Sequence, residues 1–188
     1  SSHYDVGNDF YELFLGDSMA YTCAYYPTPD ATLDEAQENK FRLVFEKMNL
    51  KPGDKHLDVG CGWGSMVRYA ARQGVKSLGV TLSKEQAEWA QAKIKEEGLE
   101  DLAEVRFLDY RDVPETDFDG ISSIGLLEHI GVKNFASYFE FLAGKLRPGG
   151  VMVNHCITYP DNHKTPQGDF INRYIFPDGE LTGSGTII

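Results

Sequence analysis

The sequence has no long hydrophobic run, and acidic residues outnumber basic ones. No apolar stretch approaches the roughly 20 residues that a helix needs to cross a bilayer, and residues 1–5 lack the charged-then-apolar order of a secretion signal. Lysine and arginine number 18 against 29 acidic residues, which gives a net charge of −11. Because no basic stripe can neutralise phosphates, we expect no nucleic acid partner and no long-range attraction to an anionic membrane. The expected location is the cytoplasm.

Cysteine is scarce as well. The three cysteines, Cys23, Cys61 and Cys156, are odd in number and far apart in the chain, which argues against a disulfide framework and against a metal cluster. Internal repeats and low-complexity stretches are also absent. A chain of 188 residues that is 41% hydrophobic is expected to form about one globular domain with a sizeable core.

From residue 53 onward, strand and helix patterns alternate. The predicted strands are 55–59, 75–80, 103–109, 118–125 and 151–157. The predicted helices are 65–73, 84–97 and 132–146; Gly74 and Gly98 stop the first two, Arg-Pro-Gly-Gly at 147–150 ends the third, and Ser83 with Gln86 has the spacing of a capping box. Such alternation is typical of an α/β fold with a doubly wound, mostly parallel sheet.

The two ends of the chain differ from this middle. Residues 33–48 have the pattern of an amphipathic helix, and we expect residues 1–52 to form a helical cap on a sheet domain of residues 53–188. Seven aromatic residues precede that helix: Tyr4, Phe10, Tyr11, Phe14, Tyr21, Tyr25 and Tyr26. A sheet that stops after five strands leaves an exposed edge strand, so the sequence is expected to be part of a longer protein, incomplete at its C-terminal end.

The most informative segment joins the first predicted strand to its helix. It reads Leu-Asp-Val-Gly-Cys-Gly-Trp-Gly at positions 57–64, with Asp58 ahead of Gly60, Gly62 and Gly64. Glycine permits a sharp bend and a close approach of backbone amides to a ligand, and the helix that follows presents unpaired N–H groups. The segment therefore predicts the binding site of a nucleotide-like cofactor.

A dinucleotide does not fit this segment. The dinucleotide fingerprint needs a glycine or alanine three positions after Gly62, where the chain has Ser65. It also needs an acidic residue at the end of the second strand, where the chain has Thr81. These two departures exclude NAD as the predicted cofactor.

The layout matches enzymes that use S-adenosylmethionine instead. In such a site Asp58 orders the glycine loop, Thr81 and Gln86 offer polar groups to the ribose, and Tyr110 lies against the adenine. The polar segment 109–112 after the third strand, taken alone, is more simply a solvated turn. When segment 109–112 is considered together with the glycine loop, cofactor binding is the better interpretation of both.

Six blocks of sequence support a more specific assignment. They are 3–11 (His-Tyr-Asp-Val-Gly-Asn-Asp-Phe-Tyr), 19–26 (Met-Ala-Tyr-Thr-Cys-Ala-Tyr-Tyr), the glycine loop 57–64, 79–86 (Gly-Val-Thr-Leu-Ser-Lys-Glu-Gln), 128–131 (Glu-His-Ile-Gly) and 170–177 (Phe-Ile-Asn-Arg-Tyr-Ile-Phe-Pro). Together they resemble the cyclopropane-fatty-acyl-phospholipid synthase (mycolic acid cyclopropane synthase-like) family over nearly the whole chain. The final block, 176–185, looks most like actinobacterial members that make 10-methyl branched fatty acids with a flavin-dependent reductase.

The resemblance implies a class I S-adenosylmethionine-dependent methyltransferase with a Rossmann-like fold. Members of the family transfer a methyl group to the cis double bond of an unsaturated acyl chain, usually on a phospholipid, and the product is a cyclopropane or a methylene- or methyl-branched chain. The resemblance also implies a peripheral position at the inner face of the membrane, with a flavin-dependent reductase and a second copy of the chain as partners to consider.

Carried over position by position, the resemblance assigns two sets of site residues. The cofactor contacts are Tyr21, Thr22, Asp58, Gly60, Cys61, Gly62, Trp63, Gly64, Thr81, Leu82, Gln86, Tyr110 and Arg111. The catalytic positions, which in the family surround a bicarbonate ion, are Cys23, Glu128, His155 and Ile157. A family tyrosine that completes this second site lies beyond Ile188.

The chemistry explains why such residues are needed. An alkene is a poor nucleophile, so the sulfonium must be held close to it in a dry slot. Methylation leaves a carbocation, which aromatic faces can stabilise and water would quench. A small base must then remove a proton, and bicarbonate can do so if Glu128 and His155 orient it.

Other interpretations stay open. Taken alone, Cys23 is expected to be a small buried hydrophobe, Glu128 part of a solvated loop, and His155 a core histidine with its hydrogen bonds satisfied. The aromatic residues of the N-terminal block are, one by one, more often core than cation cage. A methyltransferase acting on nitrogen or oxygen of a small molecule would share the cofactor site, and so would a non-catalytic subunit that binds S-adenosylmethionine.

Overall fold

The computed structural model describes residues 15–158 of the chain. The predictions for residues 1–14 and 159–188 lie outside the described residues. They include the sequence blocks 3–11 and 170–177 and four of the N-terminal aromatic residues.

The described part of the chain forms four α-helices and five β-strands. The helices are α1 (Leu33–Met48), α2 (Ser65–Arg72), α3 (Lys84–Glu96) and α4 (Phe135–Ala143); the strands are β1 (Lys55–Val59), β2 (Lys76–Thr81), β3 (Ala103–Phe107), β4 (Phe118–Ile124) and β5 (Leu146–His155). Short 3₁₀ turns lie at Tyr110–Asp112, Leu127–His129 and Val132–Asn134. The strands form one parallel sheet in the order β3-β2-β1-β4-β5. The predicted α/β, doubly wound architecture is confirmed.

Helix α1 has the predicted bounds because both of its ends are capped. The Thr32 side chain accepts a hydrogen bond from the Glu35 backbone N–H, and the Glu35 carboxylate accepts one from the Thr32 N–H, a complete capping box. Asn49 ends the helix in the left-handed conformation. The buried face of α1 packs against α2, β4 and β5.

Helices cover both faces of the sheet. On one face, Phe41 and Val44 of α1 share a core cluster with Met66 and Tyr69 of α2, and α2 also packs with α3 and β3. On the other face, α4 contributes Tyr138 to the cluster over β1, β2 and β4. None of the helices in residues 15–158 is long and apolar enough to span a bilayer. In the strand order β3-β2-β1-β4-β5, the crossover between the two halves of the sheet falls between β1 and β4.

The largest departure from the predicted elements is at β5. The prediction placed residues 147–150 at the end of a helix, whereas they lie inside this strand. Phe118 of β4 pairs with Leu146, and Gly120 with Val151, so the four residues between form a bulge. An edge strand tolerates proline at a bulge, which is why this Pro-Gly-Gly segment does not interrupt the sheet.

Four other element ends differ from prediction. Helix α4 begins only at Phe135, after a 3₁₀ turn, and ends at Ala143. Strand β3 ends at Phe107 and β5 ends at His155, each two residues early. At β5 the reason is that the Ile157 N–H bonds to a side chain instead of to the sheet. The remaining ends agree within one residue, the ordinary uncertainty of such boundaries.

Candidate active site

The glycine loop makes a tight turn between β1 and α2. Gly60, Gly62 and Gly64 have φ values of +71°, +54° and +75°, a region that side chains with a Cβ rarely adopt. The backbone N–H groups of Gly60 and Cys61 both donate to the Val80 carbonyl at 3.0 Å. The loop is therefore fixed to the end of β2.

The loop also depends on close packing. A Cβ on Gly64 would lie 3.0 Å from the Cβ of Ala90 in α3. Cys61 is buried against Gly79 of β2, and burial raises the pKa of its thiol well above the ordinary value. The Trp63 ring packs edge to face on a second tryptophan, with the ring centroids 5.5 Å apart. Small residues thus bring the loop against its neighbours, and the thiol stays protonated.

A cleft opens beside the loop, at the carboxyl ends of β1 and β4. Its lining consists of Met19, Ala20, Tyr21, Thr22, Phe41, Asp58, Gly60, Cys61, Gly62, Trp63, Ser65, Met66 and Ile124. Seven of the thirteen predicted cofactor contacts are among them. Open parallel sheets bind ligands at this kind of crossover point, so the cleft lies where a cofactor is expected.

Asp58 is the buried acid of this cleft. Its Oδ1 accepts a hydrogen bond of 2.5 Å from the Ser122 hydroxyl of β4. Burial raises the pKa of Asp58 to about 7, although the Ser122 hydrogen bond and the Lys40 ammonium both act to lower it. The Asp58 side chain is thus tied to the neighbouring strand β4.

A buried histidine extends this connection through the sheet. His56 Nε2 lies 2.8 Å from Ser122 Oγ, and His56 Nδ1 lies 2.7 Å from Ser77 Oγ. Because Ser122 gives its proton to the Asp58 carboxylate, the Ser122 oxygen accepts from His56 Nε2–H. His56 Nδ1 then accepts from the Ser77 hydroxyl. Burial lowers the pKa of His56 to about 3, so the ring stays neutral.

The predicted ribose contacts follow β2. Thr81 Oγ1 donates to Gln86 Oε1 at 3.0 Å, and the Ser83 N–H donates to Thr81 Oγ1. The predicted capping box at Ser83 is only half formed: Ser83 Oγ accepts from the Gln86 N–H, but the Gln86 amide oxygen turns to Thr81. Leu82 is 72% exposed. These residues lie at the same edge of the sheet as the cleft but do not line it.

Tyr110 and Arg111 are not brought to the cleft. The Tyr110 ring packs edge to face on Tyr138 and Phe141, at centroid distances of 5.4 and 5.6 Å. The Arg111 guanidinium lies 2.7 Å from the Asp109 carboxylate and holds the pKa of Asp109 below its usual range. The segment is a 3₁₀ turn with local hydrogen bonds. Cofactor binding by these two residues stays a prediction.

Three of the four predicted catalytic positions lie close together at the ends of β4 and β5. Glu128 is 3% exposed, and its Oε1 accepts a hydrogen bond of 2.7 Å from the Ile157 N–H. Within residues 15–158, Glu128 Oε2 and His155 Nδ1 are buried and have no hydrogen-bond partner. Burial and the Lys40 charge lower the pKa of His155, while Glu128 acts to raise it. Unpartnered buried polar atoms are costly, so this pair is a candidate ligand site.

Cys23 is exposed rather than buried, so the expectation of a small buried hydrophobe was wrong. Tyr25 and Tyr26 are also exposed, by 59% and 50%, and are not core residues. The reason is that residues 23–26 run over the surface between the cleft and α1, where the Tyr25 N–H bonds to the Ala36 carbonyl. His155 is not a satisfied core histidine either, since its Nδ1 lacks a partner among the described groups.

Lys40 is a buried charged residue near the site that the sequence patterns did not predict. This residue of α1 is 3% exposed, and its Nζ donates to Gln37 Oε1 at 2.6 Å and to Thr22 Oγ1. Its charge acts on Asp58 in the cleft and on His155. Together with Glu128 and Ile157, His155 forms a second cluster of predicted site residues at the ends of β4 and β5, called the second cluster below. The signal was a lysine within the buried stripe of an amphipathic helix, between Ala36 and Val44 at intervals of four.

These features define the class of fold. A parallel β3-β2-β1-β4-β5 sheet with a glycine turn after β1 is the Rossmann-like fold of class I S-adenosylmethionine-dependent methyltransferases. The family model described as mycolic acid cyclopropane synthetase matches residues 1–188. The chain belongs to this family, and the predicted resemblance is confirmed.

Individual relatives agree with this assignment. The chain is 64% identical over 186 residues to a probable fatty acid methyltransferase of Mycobacterium tuberculosis, covering 98% of this chain and 44% of the relative. It is 41% identical over 182 residues to the cyclopropane-fatty-acyl-phospholipid synthase of Escherichia coli (strain K12), covering 95% and 45%. The chain thus spans about half the length of these curated relatives. A crystal structure of a mycolic acid cyclopropane synthase complexed with SAH and CTAB superposes with a TM-score of 0.87 at 35% identity, covering 99% of this chain and 70% of that one.

Proposed function

We propose that the protein containing this chain transfers a methyl group from S-adenosylmethionine to the cis double bond of an unsaturated acyl chain of a phospholipid. The observation that carries the proposal is the second cluster, where Glu128 is fixed by the Ile157 N–H beside His155. Transfer to nitrogen or oxygen would use the same cleft but would not need a buried carboxylate and imidazole with unused atoms. The names of the relatives in the family agree with an acyl substrate.

The cleft fits S-adenosylmethionine, which supplies the methyl group when bound. The loop offers bare backbone at Gly60 and Gly62, and the Tyr21 ring lies over it, since a Cβ on Gly62 would be 3.6 Å from that ring. Asp58, held by Ser122, keeps the loop in place. The remaining contacts that we propose surround the cleft or follow the neighbouring strands. They are Gly64, Cys61, Trp63, Thr22, Thr81, Leu82, Gln86, Tyr110 and Arg111.

The second cluster fits bicarbonate, which supplies a small base when bound. While Glu128 is ionised, its Oε2 accepts hydrogen bonds and donates none, and the bicarbonate O–H is a donor. His155 Nδ1 and the exposed Cys23 complete the set of side chains that we propose, with the Ile157 backbone orienting Glu128. The lowered pKa of His155 keeps its ring neutral near pH 7, so one ring nitrogen is a hydrogen-bond donor and the other an acceptor.

The environment of the reaction must exclude water because water would quench a carbocation. Apolar side chains line one side of the cleft, among them Met19, Phe41 and Ile124. Which proton is lost decides between a cyclopropane and a methylene-branched acyl chain. A flavin-dependent reductase would act as partner only for the second product, by reducing the methylene to a methyl branch.

The proposed site of action is the inner face of the cytoplasmic membrane. The net charge of −11 gives this segment no general attraction to anionic lipid. Exposed apolar and aromatic side chains near the carboxyl edge of the sheet support docking through apolar contact instead. They are Tyr21, Tyr25, Tyr26, Leu82 and Ile157. A homo-oligomer would present such an edge more than once.

The test is the fate of the methyl label. Full-length protein is incubated with methyl-labelled S-adenosylmethionine and vesicles of dioleoyl phospholipid, with vesicles of a saturated phospholipid as the control. The proposal expects label in the fatty acyl fraction of the oleoyl lipid and none with the saturated lipid. Label in the headgroup or in soluble amines would identify a heteroatom methyltransferase. Binding of S-adenosylmethionine without transfer to any acceptor would identify a non-catalytic subunit.

A further inference from the structure

A buried ammonium group connects α1 to both clusters of the site. Lys40 has no ion-pair partner in the part of the chain that the structure describes. Two of its three N–H donors bond to neutral oxygens, Thr22 Oγ1 and Gln37 Oε1. Burying a cation without a countercharge is costly. The fold therefore keeps this charge buried at an energetic cost.

The position of Lys40 is fixed from two sides. Gln37 Nε2 donates to the carbonyls of Ala20 and Thr22, at 3.2 and 2.9 Å. Thr22 also packs against the end of β4, because a Cβ on Gly125 would meet its methyl group at 2.9 Å. The ammonium thus lies at a defined place between the cleft and the ends of β4 and β5.

Several charged and titratable groups surround Lys40. Burial lowers the pKa of Lys40 to about 8, while Cys23 and Asp58 act to raise it. His155 responds to Lys40 as well, since the Lys40 charge lowers the pKa of that imidazole. Lys40 is therefore protonated near pH 7, and its charge acts on Asp58 in the cleft and on His155 of the second cluster.

Binding of an anion at the second cluster requires a positive charge nearby, and Glu128 does not supply one. A bicarbonate ion beside a buried Glu128 carboxylate places two negative charges together, and such pairs repel strongly where water is excluded. His155 is neutral and cannot offset them. A fixed cation nearby lowers this penalty.

We propose that Lys40 is the positioning residue that supplies the positive charge for binding a small oxyanion at Cys23, Glu128 and His155. This inference rests on the proposed function of that cluster. Lys40 acts through the field of its ammonium group and through Thr22. It takes no part in bond making.

The experiment uses full-length protein and three variants of Lys40. K40Q keeps a hydrogen-bonding side chain and removes the charge, K40R keeps the charge, and K40M removes both. Lys95→Met removes the charge of an exposed lysine of α3 and is the matched control. The readouts are the rise in thermal midpoint on adding bicarbonate, the Kd of S-adenosylmethionine, and the KM of bicarbonate in depleted buffer.

The expected result is that bicarbonate stabilises the wild type, K40R and Lys95→Met, but not K40Q or K40M. The KM of bicarbonate rises about tenfold in K40Q, which corresponds to about 1.4 kcal/mol, while the Kd of S-adenosylmethionine stays within about threefold. A bicarbonate response in K40Q equal to the wild type overturns the inference. So does an equal loss in K40Q and K40R, because the role is then structural. A wild type with no bicarbonate response overturns the anion site of the proposed function itself, whatever the variants show.

Discussion

The Glu128 carboxylate accepts a hydrogen bond of 2.7 Å from the backbone N–H of Ile157. This bond joins the turn after β4 to the end of β5 and takes the place of a further pairing in the sheet. It fixes one carboxylate oxygen and leaves the other buried and without a partner among the described residues. The orientation of Glu128 is therefore set by the backbone of its neighbour.

Glu128→Gln is expected to lower turnover by about 10² to 10⁴ while the Kd of S-adenosylmethionine changes little. The amide oxygen can still accept from Ile157, so the local structure is kept, but the negative charge is lost. Titration calorimetry and steady-state kinetics on the full-length enzyme measure the two quantities. Glu88→Gln, at an exposed position of α3, is the control. An equal loss of binding and turnover would show that Glu128 is structural.

Replacing His56 by Gln is expected to flatten the acid side of the stability profile. The folded pKa of His56, about 3, lies below the unfolded value of 6.5, so the unfolded state takes up the proton first as the pH falls. The free energy of unfolding then decreases by up to about 1.4 kcal/mol per pH unit between those two values. Urea denaturation at a series of pH values measures the slope. Wild type and variant with the same slope would mean that the pKa of His56 is the same in the folded and unfolded states.

Asp58→Asn is expected to gain stability relative to the wild type as the pH rises. Burial raises the pKa of Asp58 in the folded state to about 7 from 3.8, so ionisation opposes folding. The contribution of Asp58 is most favourable below the unfolded pKa and is lost as the pH rises through about 7. Thermal midpoints at about pH 5.5 and about pH 8 give the comparison. A difference between the two proteins that does not change with pH would contradict the buried, high-pKa carboxyl group.

Gly64→Ala is expected to destabilise the fold more than Gly98→Ala. Both glycines have positive φ, +75° and +69°, so both substitutions carry a backbone cost of roughly 1–2 kcal/mol. A Cβ at Gly64 also meets Ala90 at 3.0 Å, whereas nothing lies within 4 Å of one at Gly98. The extra cost is about 1–3 kcal/mol, measured as the free energy of unfolding in urea. Equal effects would show that the packing of the loop on α3 yields easily.

Local features were predictable from the sequence, and contacts between distant segments were not. The bounds of α1 and β1 follow from apolar periodicity and from caps such as Thr32. The bulge in β5 depends on its pairing with β4, so residues 147–150 looked like the end of a helix. Long-range pairing overrides local propensity in such cases.

The candidate site shows the same division. The glycine pattern identified its loop because the backbone conformation requires those residues. The environment of Lys40 is assembled from Thr22, Asp58 and His155, which come from separate elements. Its position in the buried stripe of α1 was a visible signal, but only the fold shows what the charge faces.

The most direct test of the proposed function is the position of the added carbon. Full-length protein is supplied with isotope-labelled S-adenosylmethionine and dioleoyl phospholipid, and the released acyl chains are fragmented in a mass spectrometer. The proposed function predicts one labelled carbon per modified chain, attached at the former double bond as a cyclopropane or a branch. Unlabelled acyl chains together with label on a nitrogen or oxygen atom would contradict it.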